Sequence, residues 1–448
     1  MGNLTEAPGW SGPIPTHWRW AKLNQVAQLG TGHTPDRTKP EYWENCTIPW
    51  VTAADLSHRS SAFEPLTETQ QHISELGLAN SAAVLHPPET VMFCRTASVG
   101  LFCRIGRPMA TTQAFVTWTP GPELDSRFLI YVIAAMRPEF DRLAYGSTHL
   151  TIYMPDLEAL RIPLPPVEEQ RGIADFLDDQ VARIDEAISI KSKQVREQSR
   201  KHRGLLPQMA RKVGFDVPGP IPWFVAGAAD WRILPLKAVA RCLDGKRVPL
   251  SSEERAMRSG PYPYYGASTI VDYIDEFLFD GDFALVGEDG ASLENEDFDV
   301  VQPVSGRVWV NNHAHVLEAV GIDRLFLVHY LRSVDRQVLI SGATRPKITQ
   351  DDLMHLPVPI PSRSIQSELV DLCERALNEY GHIRNSIERS ISLLEERKRA
   401  VITAAVTGEL DVTTARPIGV GKWESNVGAR VEGSDAAQVQ KPSNGGTE

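Results

Sequence analysis

Few residues of this sequence stand at spacings that could carry out chemistry on a substrate. The densest histidine site is Asn311-Asn312-His313-Ala314-His315. Two histidines two apart on a strand face the same way and could share a metal ion, although a hydrogen-bonded pair is the commoner arrangement. Glu288-Asp289 stands beside Gly290 in what reads as a hairpin turn, where carboxylates are usually solvated. Five cysteines (Cys46, Cys94, Cys103, Cys242, Cys373) are scattered without a C-x-x-C pair, which fits reduced thiols better than a disulfide framework or a zinc site. There is no G-x-x-x-x-G-K-S/T phosphate loop, and "GVGKW" from Gly419 is too short to be one. The Asn- or Asp-Pro-Pro-aromatic signature of amino-methyltransferases is also missing, because "HPPE" at His86 and "LPPV" at Leu164 lack its flanks. The expectation is a chain with no catalytic residues and no metal site of its own.

The elements that would position a binding surface are written twice. "GSTHLTIYMPDLEALRIPLPPVEEQ" (Gly146 to Gln170) aligns without a gap on "GATRPKITQDDLMHLPVPIPSRSIQ" (Gly342 to Gln366), at a constant offset of 196 residues. Upstream, "GPIPTHWRWAKL" (Gly12 to Leu23) resembles "GPIPWFVAGAADWRIL" (Gly219 to Leu234), and the alignment places Trp20 with Trp231. After each proline-rich exit comes a helical stripe: Ile173, Leu177, Val181, Ile184, Ile188 and Val195, then Ile365, Leu369, Leu372, Ala376, Tyr380, Ile383, Ile387, Ile391 and Leu394. Three–four spacing keeps one apolar seam facing a partner, so the two helices are expected to pack on each other. Between the repeated ends lie short strand-like runs such as "TVMFC" and "QAFVTW" in the first half and "FLFDGDFALVGEDGA" and "RVWVNN" in the second. A shared frame with divergent contents reads as two recognition domains with different targets.

Composition sets limits. A chain of 448 residues, 42% hydrophobic and 23% charged, is that of a globular protein with room for two to four domains. Its net charge of −11 is not that of a simple counterion-releasing nucleic-acid binder, although a net charge can hide a local basic face. The N-terminal "MGNLTEAPGWSGPIPTHW" lacks a signal peptide's basic start and apolar core, and no apolar run approaches a membrane span, so a soluble cytoplasmic protein is expected.

In this order, and doubled, these features resemble the specificity (S) subunit of type I restriction–modification systems, from Trp10 to about Asp411. The segments that carry the resemblance are "LGTGHTPDRTKPEYWENCTIPWVTAADL" (Leu29 to Leu56), "YPYYGASTIVDYIDEFLFDGDFALVGEDGA" (Tyr262 to Ala291) and the two proline-rich exits. The resemblance implies an α/β (α+β) fold with two strand-rich target recognition domains in pseudo-twofold arrangement, bridged by two long antiparallel coiled-coil helices. The expected boundaries are 1–165 for the first recognition domain, 166–212 for the first helix, 213–230 for a linker, 231–361 for the second recognition domain, 362–411 for the second helix and 412–448 for a disordered tail. It further implies a non-catalytic chain that reads a bipartite target in double-stranded DNA, one half per domain. The implied partners are methyltransferase (M) subunits, two in number, and restriction/motor (R) subunits. Cofactors belong to that complex (S-adenosylmethionine, ATP and magnesium) and not to this chain. Two alternatives stay open: the specificity subunit of a two-part restriction enzyme with a fused nuclease-methylase partner, and a coiled-coil scaffold that binds no DNA.

Base readout calls for Arg or Lys toward guanine and Asn or Gln toward adenine, projected from loops. The first domain offers Arg95, Thr96 and Ser98, then Thr112 and Gln113, with Lys39 as a phosphate contact. The second offers Lys246, Arg247, Tyr265, Ser268, Asn311, Asn312 and His313, with Arg345 and Lys347 where the first half has His149 and Thr151. Trp43, Trp50, Trp231 and Trp309 read as core aromatics. The apolar segments Gly204 to Val213 and Ala400 to Leu410 are expected to be exposed and to dock a methyltransferase subunit. About forty helical residues from Glu168 would make a rod of roughly 60 Å.

Overall fold

The computed structural model describes residues 9–57, 59, 61–146, 149–215, 231–289, 293, 299–335, 339–341 and 346–413. The chain separates into two compact units, residues 1–187 with 394–448 and residues 188–393. The sequence expectations for Arg345, for most of the linker and for the tail after Thr413 lie outside the described residues.

The first unit carries strands β1 (Arg19–Lys22), β2 (Ala27–Thr31), β3 (Ile48–Val51), β4 (Pro65–Leu66), β5 (Gln71–Ile73), β6 (Val91–Cys94), β7 (Phe102–Ile105), β8 (Ala110–Thr111), β9 (Phe115–Pro120) and β10 (Arg161–Leu164). A five-stranded sheet has the order β2-β9-β6-β7-β4, with β4 parallel to β7, and a three-stranded sheet runs β5-β3-β8. The second unit carries β11 (Arg232–Pro235), β12 (Ala240–Cys242), β13 (Ser259–Tyr265), β14 (Ile270–Ile274), β15 (Phe279–Gly287), β16 (Val301–Val310), β17 (Ala314–Ala319), β18 (Ile340–Ser341), β19 (Lys347–Ile348) and β20 (Pro357–Ile360). Its six-stranded sheet has the order β12-β17-β15-β16-β13-β14, with β13 parallel to β16. Strand for strand, β12-β17-β15-β16 repeats β2-β9-β6-β7, and each unit then adds a parallel neighbour of its own.

The proline-rich exits are strands. β10 pairs antiparallel with β1 and β20 with β11, so that Trp20 faces Pro163 and Ile233 faces Pro359. A two-stranded ribbon tolerates proline where the missing N–H would point away from the partner. This register corrects the upstream alignment. Leu164 and Ile360 are repeat equivalents and lie opposite Arg19 and Arg232, so Trp231 corresponds to Trp18 and not to Trp20. The shared dipeptide was Trp-Arg.

After each exit comes a long helix, Val167–Arg203 and Arg363–Thr407, and the first continues beyond Gly204 as Leu205–Lys212. In the first unit, Ile173, Leu177 and Val181 of the first long helix share one core with Ile402, Ala405 and Val406 of the second. In the second unit, Leu205, Leu206 and Met209 share a core with Leu369, Val370 and Cys373. Start therefore meets end within each unit. This overturns the expectation that Gly204 to Val213 and Ala400 to Leu410 offer free apolar docking surface. Their apolar side chains are spent inside the cores, because only the small or polar positions of these short amphipathic stretches face outward.

A buried glutamine fastens each helix to its domain. The Gln170 side chain donates to the carbonyls of Pro165 and Glu123 (both 2.8 Å) and accepts from the Asp125 N–H at 2.8 Å. Gln366 donates to the Pro361 carbonyl at 2.8 Å and accepts from the Asp323 N–H at 2.7 Å. Asp125 and Asp323 in turn cap the helices Ser126–Ala135 and Arg324–Ser333, Asp125 accepting from the Arg127 and Phe128 N–H groups and Asp323 from the Phe326 N–H. Two turns further along each long helix, Tyr131 donates its hydroxyl proton to Asp178 at 2.6 Å, where the second unit has His329 against Glu374 at 2.9 Å.

Candidate nucleic-acid interface

In the first unit three segments converge where β6 leaves its sheet. The Arg95 N–H donates to the Ala114 carbonyl at 2.8 Å, and the Ile152 N–H donates to the Arg95 carbonyl at 2.9 Å. Thr96 bridges Thr151, and Thr151 exchanges both backbone hydrogen bonds with Tyr145 at 2.9 Å. Arg95, Thr96, Ser98, Thr112 and Gln113, distant in sequence, are thereby brought to one place. Ala97 sits between them at φ 62°, a left-handed conformation that costs a non-glycine residue energy and is held by its N–H bond to the Leu150 carbonyl (2.9 Å). The Thr112 hydroxyl accepts from the Ala114 N–H (3.3 Å), and the exposed Gln113 accepts from the Thr34 hydroxyl (2.7 Å). Lys39 stands on a separate loop, exposed, with its ammonium 3.3 Å from the Tyr42 hydroxyl.

The second unit repeats this backbone arrangement. The Glu288 N–H donates to the His313 carbonyl at 2.8 Å, the Ile348 N–H donates to the Glu288 carbonyl at 2.9 Å, and Lys347 bridges both Asp289 and Ser341. Where Thr112 accepts from the N–H two residues on, Asn311 does the same with its side-chain carbonyl, from His313 at 2.8 Å. Asn311 is buried and structural, whereas Asn312 is exposed. The Asn311 N–H donates to the Tyr265 carbonyl, tying in β13, and Gln302 donates from its side-chain amide to the Ser268 carbonyl. Gly287 permits this approach, since a Cβ there would lie 2.5 Å from the Ala267 carbonyl oxygen.

The side chains on the two constellations differ. In the second unit Arg247 is not turned outward as the sequence reading expected. Its guanidinium donates to Glu288 (2.7 Å) and to the Ala314 carbonyl (2.8 Å) and pairs with Asp244 (3.2 Å), with its side chain only 13% exposed. Lys347 reaches the other oxygen of Glu288 at 2.7 Å. Burial alone would raise the Glu288 carboxyl, but the bonds from Lys347 and Arg247 overcome it and hold it below the ordinary range. Lys246 remains exposed.

The two histidines do not share a ligand. His313 lies in the turn before β17 and meets Asp289 at 2.7 Å, while His315, within the strand, meets Asp244 at 2.5 Å and the Ile348 carbonyl at 2.9 Å. Cys242, Asp244 and His315 bring three possible ligand atoms within 4.8 Å of one another. Those of Asp244 and His315 are already engaged. Asp244 accepts from the Val316 N–H (2.9 Å), from His315 and from Arg247. Burial, with the charge of Asp244 beside it, pushes the Cys242 thiol up to about 12, the opposite of what a thiolate ligand needs. The cluster is an ion-paired network that stiffens the loop after β12.

The sequence reading missed two features of the first unit's surface. Tyr145 and Tyr153, 58% and 56% exposed, have ring centres 6.0 Å apart beside the Thr96–Thr151 bridge. Both belong to or adjoin the repeated "GSTHLTIY" segment, and that position was the available signal. In the second unit Glu288 and Asp289 are not the solvated turn residues that their sequence suggests, because β15 runs directly into them and buries Glu288.

Comparison with known proteins agrees with this geometry. A family model described as the type I restriction modification DNA specificity domain matches residues 15–194 and 229–389. A type I restriction enzyme specificity subunit of Haemophilus influenzae is 39% identical over 149 residues, which span 32% of this chain and 36% of that protein. The EcoprrI specificity subunit of Escherichia coli is 22% identical over 384 residues, spanning 83% of this chain and 92% of that protein. Among solved structures, a chain from work on complex assembly and conformational transition of the type I R-M system superimposes with a TM-score of 0.60 at 15% identity, covering 89% of this chain and all of that one.

Proposed function

The chain belongs to the type I restriction–modification DNA specificity family, and from that premise we propose how its two units divide the work. It is a DNA target-recognition subunit with two repeated domains and is not itself catalytic. Each unit reads one half of a bipartite target in double-stranded DNA with the side chains on its three-segment constellation. In the first unit these are Arg95, Thr96, Ser98, Thr112 and Gln113, with Tyr145 and Tyr153 beside them. In the second they are Lys246, Asn312, His313, Lys347 and the Ser268 turn. Arg247 and Asn311 hold the second set in place.

One observation carries this reading. Arg95, Thr96 and Thr112 of the first unit and Asn311, His313 and Lys347 of the second lie on the same hydrogen-bonded backbone, and there they differ in chemistry. A repeated scaffold needs no such divergence, whereas two readers of different bases do.

The partners we propose are two methyltransferase subunits and restriction/motor subunits, in the cytoplasm. S-adenosylmethionine would supply the methyl group in the former, and ATP and magnesium would drive the latter. An overall charge of −11 assigns most of the phosphate attraction to those partners. The test is selection from a random duplex pool by this chain alone and by this chain co-expressed with its methyltransferase. The expected result is weak, unselective capture alone and a two-part consensus with the partner. No consensus in either arm would overturn the reading in favour of a scaffold.

A further inference from the structure

We infer that Arg37 is a base-reading residue of the first unit, its guanidinium fork presented to the Hoogsteen edge of a guanine in that unit's half-site. The inference rests on the reading of this chain as a DNA specificity subunit and adds a residue outside the three-segment constellation.

The loop from His33 to Lys39 is fixed at its start and in its middle. The His33 N–H donates to the Thr111 carbonyl at 2.9 Å, beside the turn that carries Thr112 and Gln113. Gly32 lets the chain pass that close, since a Cβ there would lie 2.0 Å from the Thr111 carbonyl oxygen. Trp50 donates its indole N–H to the His33 carbonyl (3.2 Å) and Trp43 donates to the Asp36 carbonyl (3.1 Å). The Asp36 carboxylate is turned to the N–H and hydroxyl of Thr38 (2.9 and 2.8 Å), and these bonds hold its carboxyl below the ordinary range. Thr34 closes the loop onto Gln113.

On this rigid loop the Arg37 guanidinium lies over the Trp43 ring, 5.1 Å from its centre, and 5.7 Å from the centre of Trp50. The two indoles meet edge to face at 5.6 Å. Other stacked guanidiniums in the protein show what is unusual here. Arg255 over Tyr264, Arg258 over Trp309 and Arg307 over Phe277 are each neutralised by a carboxylate: Asp272, Asp275 with Glu276, and Asp280. Among the described residues Arg37 has no carboxylate in ion-pair range, and it is exposed. Stacking restricts the side chain before DNA arrives, so less freedom is lost when both N–H edges bond.

A base edge fits this loop better than a phosphate. Between His33 and Glu44 the carboxylates Asp36, Glu41 and Glu44 outnumber the cations Arg37 and Lys39, so the segment has no general attraction for the backbone. What it offers is direction, and the bidentate match of arginine to guanine O6 and N7 uses direction.

The test is made on the whole chain co-expressed with its methyltransferase, reading modified bases across the host genome and binding of the purified complex to duplexes. R37A and R37K should both relax the same single position of one half-site, with about tenfold or greater loss of discrimination there. The other half-site should stay unchanged. R37K equal to wild type, with R37A weakened evenly on all sequences and a shallower salt dependence, would mean a phosphate contact and overturn the inference. Unchanged readout in both variants, or a change in both half-sites, would overturn it as well. A wild-type complex without any two-part consensus would instead sink the specificity-subunit reading itself.

Discussion

The two units solve one positioning problem with different side chains. At the helix clamp, buried Gln170 and Gln366 each accept from an aspartate N–H, and two turns on, a tyrosine–aspartate pair in the first unit corresponds to a histidine–glutamate pair in the second. At the recognition surface the contrast is sharper. Thr96 and the opposite Thr151 are both uncharged, whereas Asp289 lies opposite Lys347 within a cluster held by Arg247 and Glu288. The frame therefore sets where side chains are displayed and leaves their chemistry free. It also means that the second unit's surface depends on electrostatic balance in a way the first unit's does not.

The largest effect should come from breaking that balance. Arg247→Ala leaves Glu288 and Asp244 buried with reduced compensation and should cost the second unit about 3 kcal/mol or more. Arg95→Ala, half-buried with a single long bond of 3.4 Å to the Ile152 carbonyl, should cost the first unit about 1 kcal/mol or less. Hydrogen exchange of the full chain, followed by peptide, would show whether each loss stays in its own unit. Equal losses would erase the contrast.

A smaller effect should separate the two clamps. Gln170→Ala strands three buried bonding groups and Gln366→Ala two, so about 2–4 against about 1–3 kcal/mol is expected in denaturant titrations. The reverse order would show that these bonds do not set the clamp's strength.

The smallest concerns pH. Burial, with Arg332 nearby, pushes His329 below the ordinary histidine range against the pull of Glu374. The unfolded chain therefore takes up this proton first, and the histidine's contribution to folding is full above about pH 6.5 and declines as pH falls below it. Tyr131, raised by burial and by Asp178, does not titrate there. His329→Gln should flatten the second unit's melting temperature between pH 7 and pH 5. His86 of the first unit, buried and lowered in the same direction, should keep its own acid sensitivity in that variant. An unaltered slope in the second unit would assign its pH dependence elsewhere.

Much of this was legible in the sequence because repetition reports position without reporting contacts. The constant offset matched Gln170 with Gln366, although nothing in the sequence showed what the two glutamines bind, and the three–four stripe marked both helices. Partners far apart in sequence were not legible. Arg247 looked like any exposed cation until β15 and β17 placed Glu288 and the Ala314 carbonyl around it. Arg37 looked like one more loop charge until two tryptophans six and thirteen residues away proved to be its floor. The helix ends Leu205 to Ala210 and Ile402 to Val406 read as sticky surface, because nothing in their own pattern tells a unit's core from a docking face.

The central claim is that two independent readers share one frame. The most direct measurement is to replace residues 20–165 with the first recognition domain of another specificity subunit, express the chimera with its methyltransferase and sequence the modified bases of the host. One half of the bipartite target should change to the donor's and the other half should stay as it was. Change in both halves, or in neither, would contradict it.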